Sequence, residues 1–207
     1  MRKLLHLLQR KEKGFTLIEV LLATTISLIG LSAGVIVLAL GYKHFNLGRH
    51  VAQEQKARIA LEKMVRELQE TGIFTINPDS SVIYSEENSS SIISFASARH
   101  DETNEFLTDQ NGMPSWINAI VYFRDATSNT LYRYKEPKTY WGTNYDVSGF
   151  DPSLTEGSEP MAQFITDLKF WFSDDELLNI KMKIALASEE EESPYELTLN
   201  TTIKIRN

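Results

Sequence analysis

The sequence predicts an α+β fold in which one long N-terminal helix, half suited to a membrane and half amphipathic, packs on a mainly antiparallel β-sheet body. Three observations carry this. Residues 15–42 contain a single strongly charged side chain, Glu19, and no proline. Residues 43–71 repeat apolar side chains at three- and four-residue intervals, the spacing of one helix face. From residue 72 onward, short runs of β-branched and aromatic residues alternate with turn residues, the pattern of half-buried strands. Residues 1–14 form a separate leader, which gives the order leader 1–14, membrane half 15–42, amphipathic half 43–71 and β-rich body 72–207.

Charge is distributed unevenly along this plan. Of 21 basic and 28 acidic side chains, five basic (Arg2, Lys3, Arg10, Lys11, Lys13) and one acidic (Glu12) lie in the leader; the remaining 16 and 27 leave residues 15–207 at −11, against −7 for the whole chain. A body this acidic argues against a broad phosphate-binding surface, so nucleic acid is not an expected partner. The chain has no cysteine, which excludes disulfides, thiolate nucleophiles and cysteine metal sites.

The run from Phe15 to Leu40 is long enough as a helix, at about 1.5 Å per residue, to cross a hydrocarbon core of about 30 Å. The basic leader before it predicts a cytoplasmic N-terminus, a single pass and an extracytoplasmic body. A secretory signal peptide would share the basic start, but this apolar run is long for that class and holds an acid near its beginning. A plain membrane anchor is the other bulk reading. An intramembrane carboxylate costs a few kcal/mol, about 2.5–3.5 on insertion scales, so Glu19 is a functional candidate in either case. Its alternative role is that of an acid at a helix start, favoured by the helix dipole. Gly30 and Gly34, with Ser27 one turn earlier, form a small-xxx-small pattern that lets helices approach closely in lipid, although glycine is also simply common in membrane helices.

The local sequence Lys13-Gly14-Phe15-Thr16-Leu17-Ile18-Glu19-Val20 resembles the cleavage and methylation signature of type IV prepilins and type II secretion pseudopilins. The resemblance covers about 30 residues. It implies cleavage between Gly14 and Phe15 by prepilin peptidase and N-methylation of Phe15 by the same enzyme. It also implies a filament role for Glu19, whose carboxylate would lie beside the new Phe15 amine of a neighbouring subunit. The expected partners are therefore other pilins or pseudopilins, the peptidase, a membrane assembly platform and, before assembly, membrane lipid. The expected location is the cytoplasmic membrane and then a pilus or pseudopilus.

In the second half of the helix, Leu47, Val51, Ala57, Leu61, Met64, Val65 and Leu68 form the apolar stripe. Glu54 and Arg58, and Glu62 and Arg66, stand in the favourable i,i+4 order. The helix is expected to end near Glu70, with Gly72 as its stop. Strands are expected at Ile73–Ile76, Val82–Tyr84, Ser91–Ala96, Ile117–Arg124, Thr130–Tyr134, Gln163–Phe172, Asn179–Ala187 and Tyr195–Arg206. The last three alternate cleanly between apolar and polar residues. Asp125–Asn129 reads as a hairpin turn, and Glu136–Pro160 as a long irregular loop. The segments Ile120–Phe123 and Asn129–Arg133 and the final strand also resemble, loosely, the β domains of PilW-type minor pilins and J-type pseudopilins. Many PilW-type proteins carry a cysteine pair that this chain lacks.

Enzymatic chemistry finds no foothold. The four histidines, His6, His44, His50 and His100, make no metalloprotease spacing, and neither a nucleophile elbow nor a glycine-rich phosphate loop is present. No cofactor is expected. Asp174-Asp175-Glu176 and Glu189–Glu192 lack an EF-hand layout and read as solvated turns rather than a calcium cage, so no metal ligand is assigned. The aromatic stretch Tyr132, Tyr134, Tyr140, Trp141, Tyr145 and Phe150 reads as loop packing on the sheet, with an adhesive surface as the alternative. The resemblance implies a minor subunit that initiates or caps a filament. The alternative is a binding module at the filament tip, for adhesion, secreted substrate or DNA uptake.

Overall fold

A computed structural model describes residues 15–78, 82–100, 103–137, 156–174, 177–186 and 195–205. One helix, α1 (Leu17–Glu70), is followed by a short 3-10 turn at Ile73–Thr75. The seven strands are β1 (Ile92–Ser97), β2 (Asn118–Asp125), β3 (Thr130–Pro137), β4 (Glu159–Ala162), β5 (Ile165–Asp174), β6 (Leu177–Leu186) and β7 (Tyr195–Lys204). The helix and antiparallel strands give the expected α+β layout. The chain divides into two compact units, Met1–Arg49 and His50–Asn207.

In the first unit, every residue from Phe15 to Phe45 is exposed. The apolar residues lie all round the helix rather than on one stripe, which marks a helix that needs lipid or other helices on every side. α1 is the one helix among the described residues that is long and apolar enough to cross a membrane. Its hydroxyls turn inward: Thr24 Oγ1 and Thr25 Oγ1 donate to the Leu21 carbonyl at 3.0 and 2.8 Å, and Ser32 Oγ to that of Ile29 at 2.9 Å. Bonded to their own helix, they need no water.

In the second unit, the α1 residues from His50 onward bury Ala57, Ala60, Met64 and Leu68 against a core of Ile93 and Phe95 from β1, Ile120 and Tyr122 from β2, and Leu131 from β3. Leu61 and Val65 flank this stripe, half-buried. The buried face starts later than expected, because Val51 is exposed. Small Ala57 and Ala60 stand where a larger side chain would hold the helix off the sheet. Glu54 accepts from Arg58 at 2.7 Å, as its spacing predicts.

The helix stops at Glu70 for a reason other than the one expected. Gly72 has φ −91° and ψ 143°, extended rather than left-handed. A Cβ there would lie 2.7 Å from Cε1 of the exposed Phe74 ring, which would have to turn aside. The chain end of α1 is held by hydroxyls. Thr71 Oγ1 donates to the Ala96 carbonyl (2.8 Å), Thr75 Oγ1 donates to the Gly72 carbonyl (2.8 Å), the two hydroxyls lie 2.7 Å apart, and the Ala96 N–H donates to Thr75 Oγ1 (3.3 Å). These bonds convert the predicted strand at Ile73–Ile76 into a 3-10 turn.

The body contains two sheets, ordered β1-β2-β3-β4 and β5-β6-β7, all antiparallel. The expected antiparallel β-sheet body is thus divided between two sheets. The chain passes from one sheet to the other at Gln163-Phe164, where Phe164 takes φ 64°. That left-handed conformation is unusual for a side chain of this size. The turn is fixed by bonds on both sides: the Ala185 N–H donates to the Phe164 carbonyl (3.0 Å) and the Ile165 N–H to that of Asn129 (2.8 Å). The sheets also meet through Ser90, which exchanges two backbone bonds with Phe170 (3.0 and 2.8 Å).

The three clearest predicted strands all form, at shifted ends. Leu178, Ile180, Met182, Ile184 and Leu186 of β6 are buried in strict alternation. The predicted strand at Val82–Tyr84 is a bend, although the Ile83 carbonyl still accepts from the Phe172 N–H at 2.6 Å. Both ends of the predicted loop Glu136–Pro160 are strand: β3 continues to Pro137, and β4 begins at Glu159. Its Pro160 donates no hydrogen bond and so is tolerated in a short outer strand. The Asp125–Asn129 hairpin turn is present, with Asp125 accepting from the Thr127 and Ser128 backbones at 2.8 and 3.2 Å.

Candidate functional site

The first candidate site is the start of α1. Gly14 lies outside the described residues. Phe15 is 85% exposed, and Thr16 is the residue before the first helical turn. Here the sequence Thr16-Leu-Ile-Glu19 folds into a capping box. The Thr16 N–H donates to Glu19 Oε2 (2.9 Å), Thr16 Oγ1 donates to the same oxygen (3.0 Å), and the Glu19 N–H donates to Thr16 Oγ1 (3.3 Å). A capping box satisfies backbone donors that the helix itself leaves unpaired. The Val20 N–H donating to the Thr16 carbonyl (3.2 Å) closes the first turn. Glu19 therefore does local work that the dipole reading only hinted at. Its partner Thr16 was not singled out in the sequence, although S/T-x-x-E ahead of an apolar run is a recognised cap signal. Both side-chain bonds go to Oε2, and Oε1 has no intramolecular donor among the described residues.

Gly30 and Gly34 lie one turn apart, on one face of α1. A Cβ at either would meet nothing within 4 Å. The face they make is open in the single chain.

The second candidate site fixes α1 to the sheet. Glu67 enters the buried stripe between Met64 and Leu68, and Arg133 faces it from β3. Arg133 Nη2 lies 3.0 Å from Glu67 Oε1, and Arg133 Nε donates to Oε2 at 3.1 Å. Tyr122, the cross-strand partner of Arg133, donates its hydroxyl to Glu67 Oε2 at 2.8 Å. The two charged side chains are only 12% and 11% exposed. Burial and the Glu67 carboxylate together push the Tyr122 hydroxyl well above its ordinary range, so it remains a donor. Burial works against the Arg133 charge, but Glu67 outweighs it and holds the guanidinium above its ordinary value. Lys63 and Arg133 both reach Glu159 of β4, at 3.0 and 3.8 Å. One turn on, Arg99 grips Glu70 with Nε and Nη2. None of these pairs was read from the sequence. The available signal was an acid at a stripe position, opposite an arginine on the core-facing parity of a strand.

The remaining candidates are less informative. Tyr132 and Tyr134 are half-buried on the sheet face away from α1, and Tyr132 stacks on Phe123 at 5.6 Å between ring centres. Tyr140, Trp141, Tyr145 and Phe150 lie outside the described residues, as do Asp175, Glu176 and Glu189–Glu192. His50 stacks on Tyr195 at 6.5 Å, and the His100 backbone is tied into a turn with Asn104 and Glu105.

Residues 9–35 match the family model described as the prokaryotic N-terminal methylation motif. No curated protein and no solved structure matches the chain. The matched segment contains the Gly14–Phe15 junction, the capping box and most of the exposed apolar helix. It points to a structural subunit anchored by that helix rather than to an enzyme. The motif supports placing the chain in the type IV pilin and pseudopilin family, whose members are processed by prepilin peptidase and assemble with other pilins.

Proposed function

We propose that the chain is a minor pilin or minor pseudopilin, cut between Gly14 and Phe15, N-methylated at Phe15, and built into a pilus or type II secretion pseudopilus near its initiating end. Before assembly it sits in the cytoplasmic membrane as a single pass, with residues 1–14 cytoplasmic and the body extracytoplasmic. Residues 15–42 cross the membrane, residues 43–71 carry the helix onto the body, and residues 72–207 form the exported surface. The observation that carries the reading is the placement of Glu19. Its carboxylate sits one turn inside an apolar helix, beside the point where cleavage creates an amine. Packed among neighbouring helices, where water is scarce, an amine and a carboxylate offset each other's desolvation cost. Gly30 and Gly34 supply a face on which another helix can approach closely. Other subunits of this class, the peptidase and a membrane assembly platform are the partners this requires.

Mass spectrometry of filament-associated protein tests the processing step. The expected N-terminus is N-methyl-phenylalanine at Phe15; assembled chains that still begin at Met1 would exclude it. Gly14→Leu places a bulky residue on the leader side of the cut. It is expected to leave full-length protein in the membrane, and normal maturation of that variant would move the cleavage site elsewhere.

A further inference from the structure

We infer that residues 42–49 form a collar that binds the phosphate headgroups of anionic lipids on the body side of the membrane, holding the subunit there until it is taken into a filament. The inference rests on reading residues 15–42 as a membrane span. Between Glu19 and Glu54 the chain contains no acidic residue. In that interval the basic side chains begin only at Lys43, followed by His44 and Arg49, all three exposed in the first unit. Val20 to Leu40 is 21 residues without a charge, about 31 Å of helix, which matches a hydrocarbon core of about 30 Å. Lys43 then falls about 5 Å beyond the apolar run, within a headgroup layer of roughly 5–8 Å.

Two features favour a lipid annulus over a protein partner. The first is angular. At about 100° per residue, Phe45, Lys43, His44 and Arg49 stand at about 300°, 100°, 200° and 340° from Tyr42, so they encircle the helix. Before assembly, headgroups surround a single membrane helix on all sides, and the collar offers them a charge or an aromatic ring in each direction. The second is direction. Helical side chains lean toward the N-terminus, here back toward the membrane. The long stem of Lys43 can therefore cover apolar surface while its charge meets phosphate, and Arg49, about 13.5 Å beyond Leu40, reaches back toward the outer edge of the headgroup layer. Tyr42 and Phe45, 49% and 64% exposed, supply the aromatic belt usual at that depth. His50 is not part of the collar, since it stacks on Tyr195 within the second unit.

The test uses the full chain in phosphatidylcholine vesicles with spin-labelled phosphatidylglycerol or phosphatidylcholine as probe. The fraction of motionally restricted label measures which lipid the chain retains. The leader's own basic residues contribute to selectivity from the other leaflet, so phosphatidylglycerol is confined to the leaflet facing the body. The wild-type chain is expected to select phosphatidylglycerol, and Lys43→Gln/Arg49→Gln to lose about fivefold of that selectivity per charge removed. High salt should reduce the wild-type preference toward that of the variant. Glutamine preserves helix propensity, so a loss reports charge. Unchanged selectivity in the double variant would overturn the collar. A variant with unchanged selectivity but poor filament incorporation would overturn it too, and would assign these residues to subunit contacts. Alkaline carbonate extraction separates the two layers of argument: a wild-type chain stripped from the vesicles refutes the span itself, whereas a retained chain without selectivity refutes only the collar.

Discussion

Replacing Glu67 with alanine is expected to lower the stability of the body by about 3–5 kcal/mol, the usual cost of removing one partner of a buried ion pair. The loss follows from what remains. Arg133, 12% exposed, would keep its charge with only the distant Glu159 carboxylate, at 3.8 Å, to answer it. Tyr122 would lose the acceptor now 2.8 Å from its hydroxyl. Against a typical total of about 5–15 kcal/mol this is a large fraction. At about 2–4 °C per kcal/mol for a domain of this size, the midpoint should fall by roughly 6–20 °C. Thermal unfolding of the full chain in detergent micelles, followed by near-ultraviolet circular dichroism of the body's tryptophans, measures it. The replacement Glu67→Met/Arg133→Met/Tyr122→Phe removes all three polar partners together and should recover most of the loss, because a buried pair exchanged for apolar side chains is often neutral. If Glu67→Ala alone melts like the wild type, the cluster does not hold α1 to the sheet.

That cluster also shows where sequence reasoning runs out. Periodicity locates α1 to within a residue of its C-terminal end and finds the alternation of β5, β6 and β7, because those signals are local. Glu67 and Arg133 are 66 positions apart. Their pairing depends on β3 lying in register beside β2, which puts Arg133 opposite Tyr122. Single-strand patterns do not contain that information. The division into two sheets is hidden for a similar reason: it is made by a left-handed Phe164, a conformation that neither its own side chain nor its neighbours announce. Strand β4 is missed because four residues including a proline have no alternation to read. The Gly72 correction is of another kind. Glycine past a helix end usually signals a left-handed cap, but here the backbone is extended and the exposed Phe74 ring lies over the space a Cβ would take, so the letter alone does not announce the conformation. At the start of α1, the motif around Gly14 and Phe15 was legible at once. The hydrogen-bonded role of Thr16 was legible too, but was overshadowed by the conspicuous acid.

The capping box makes the filament role of Glu19 separable from its helix role, and two substitutions divide them. Glu19→Gln keeps a side chain that can complete the box but removes the charge. Thr16→Ala keeps the charge but removes the hydroxyl, at a cost of about 0.5–2 kcal/mol for a lost cap. That cost falls on the first turn alone of a helix whose remaining length is fixed by the apolar run, so it is only partly expressed in assembly. If Glu19 acts by meeting a neighbour's Phe15 amine, Glu19→Gln strands that amine where water is scarce. The effective penalty per unpaired ion is several kcal/mol, and each 1.4 kcal/mol is about a factor of ten. Incorporation of Glu19→Gln, measured as the ratio of sheared-filament to membrane protein by quantitative mass spectrometry, should therefore fall at least about tenfold, with Phe15 still exposed by cleavage. Thr16→Ala should stay within about threefold of the wild type. Equal losses in the two variants would show that the box itself is the function, and that the carboxylate serves the helix rather than the filament.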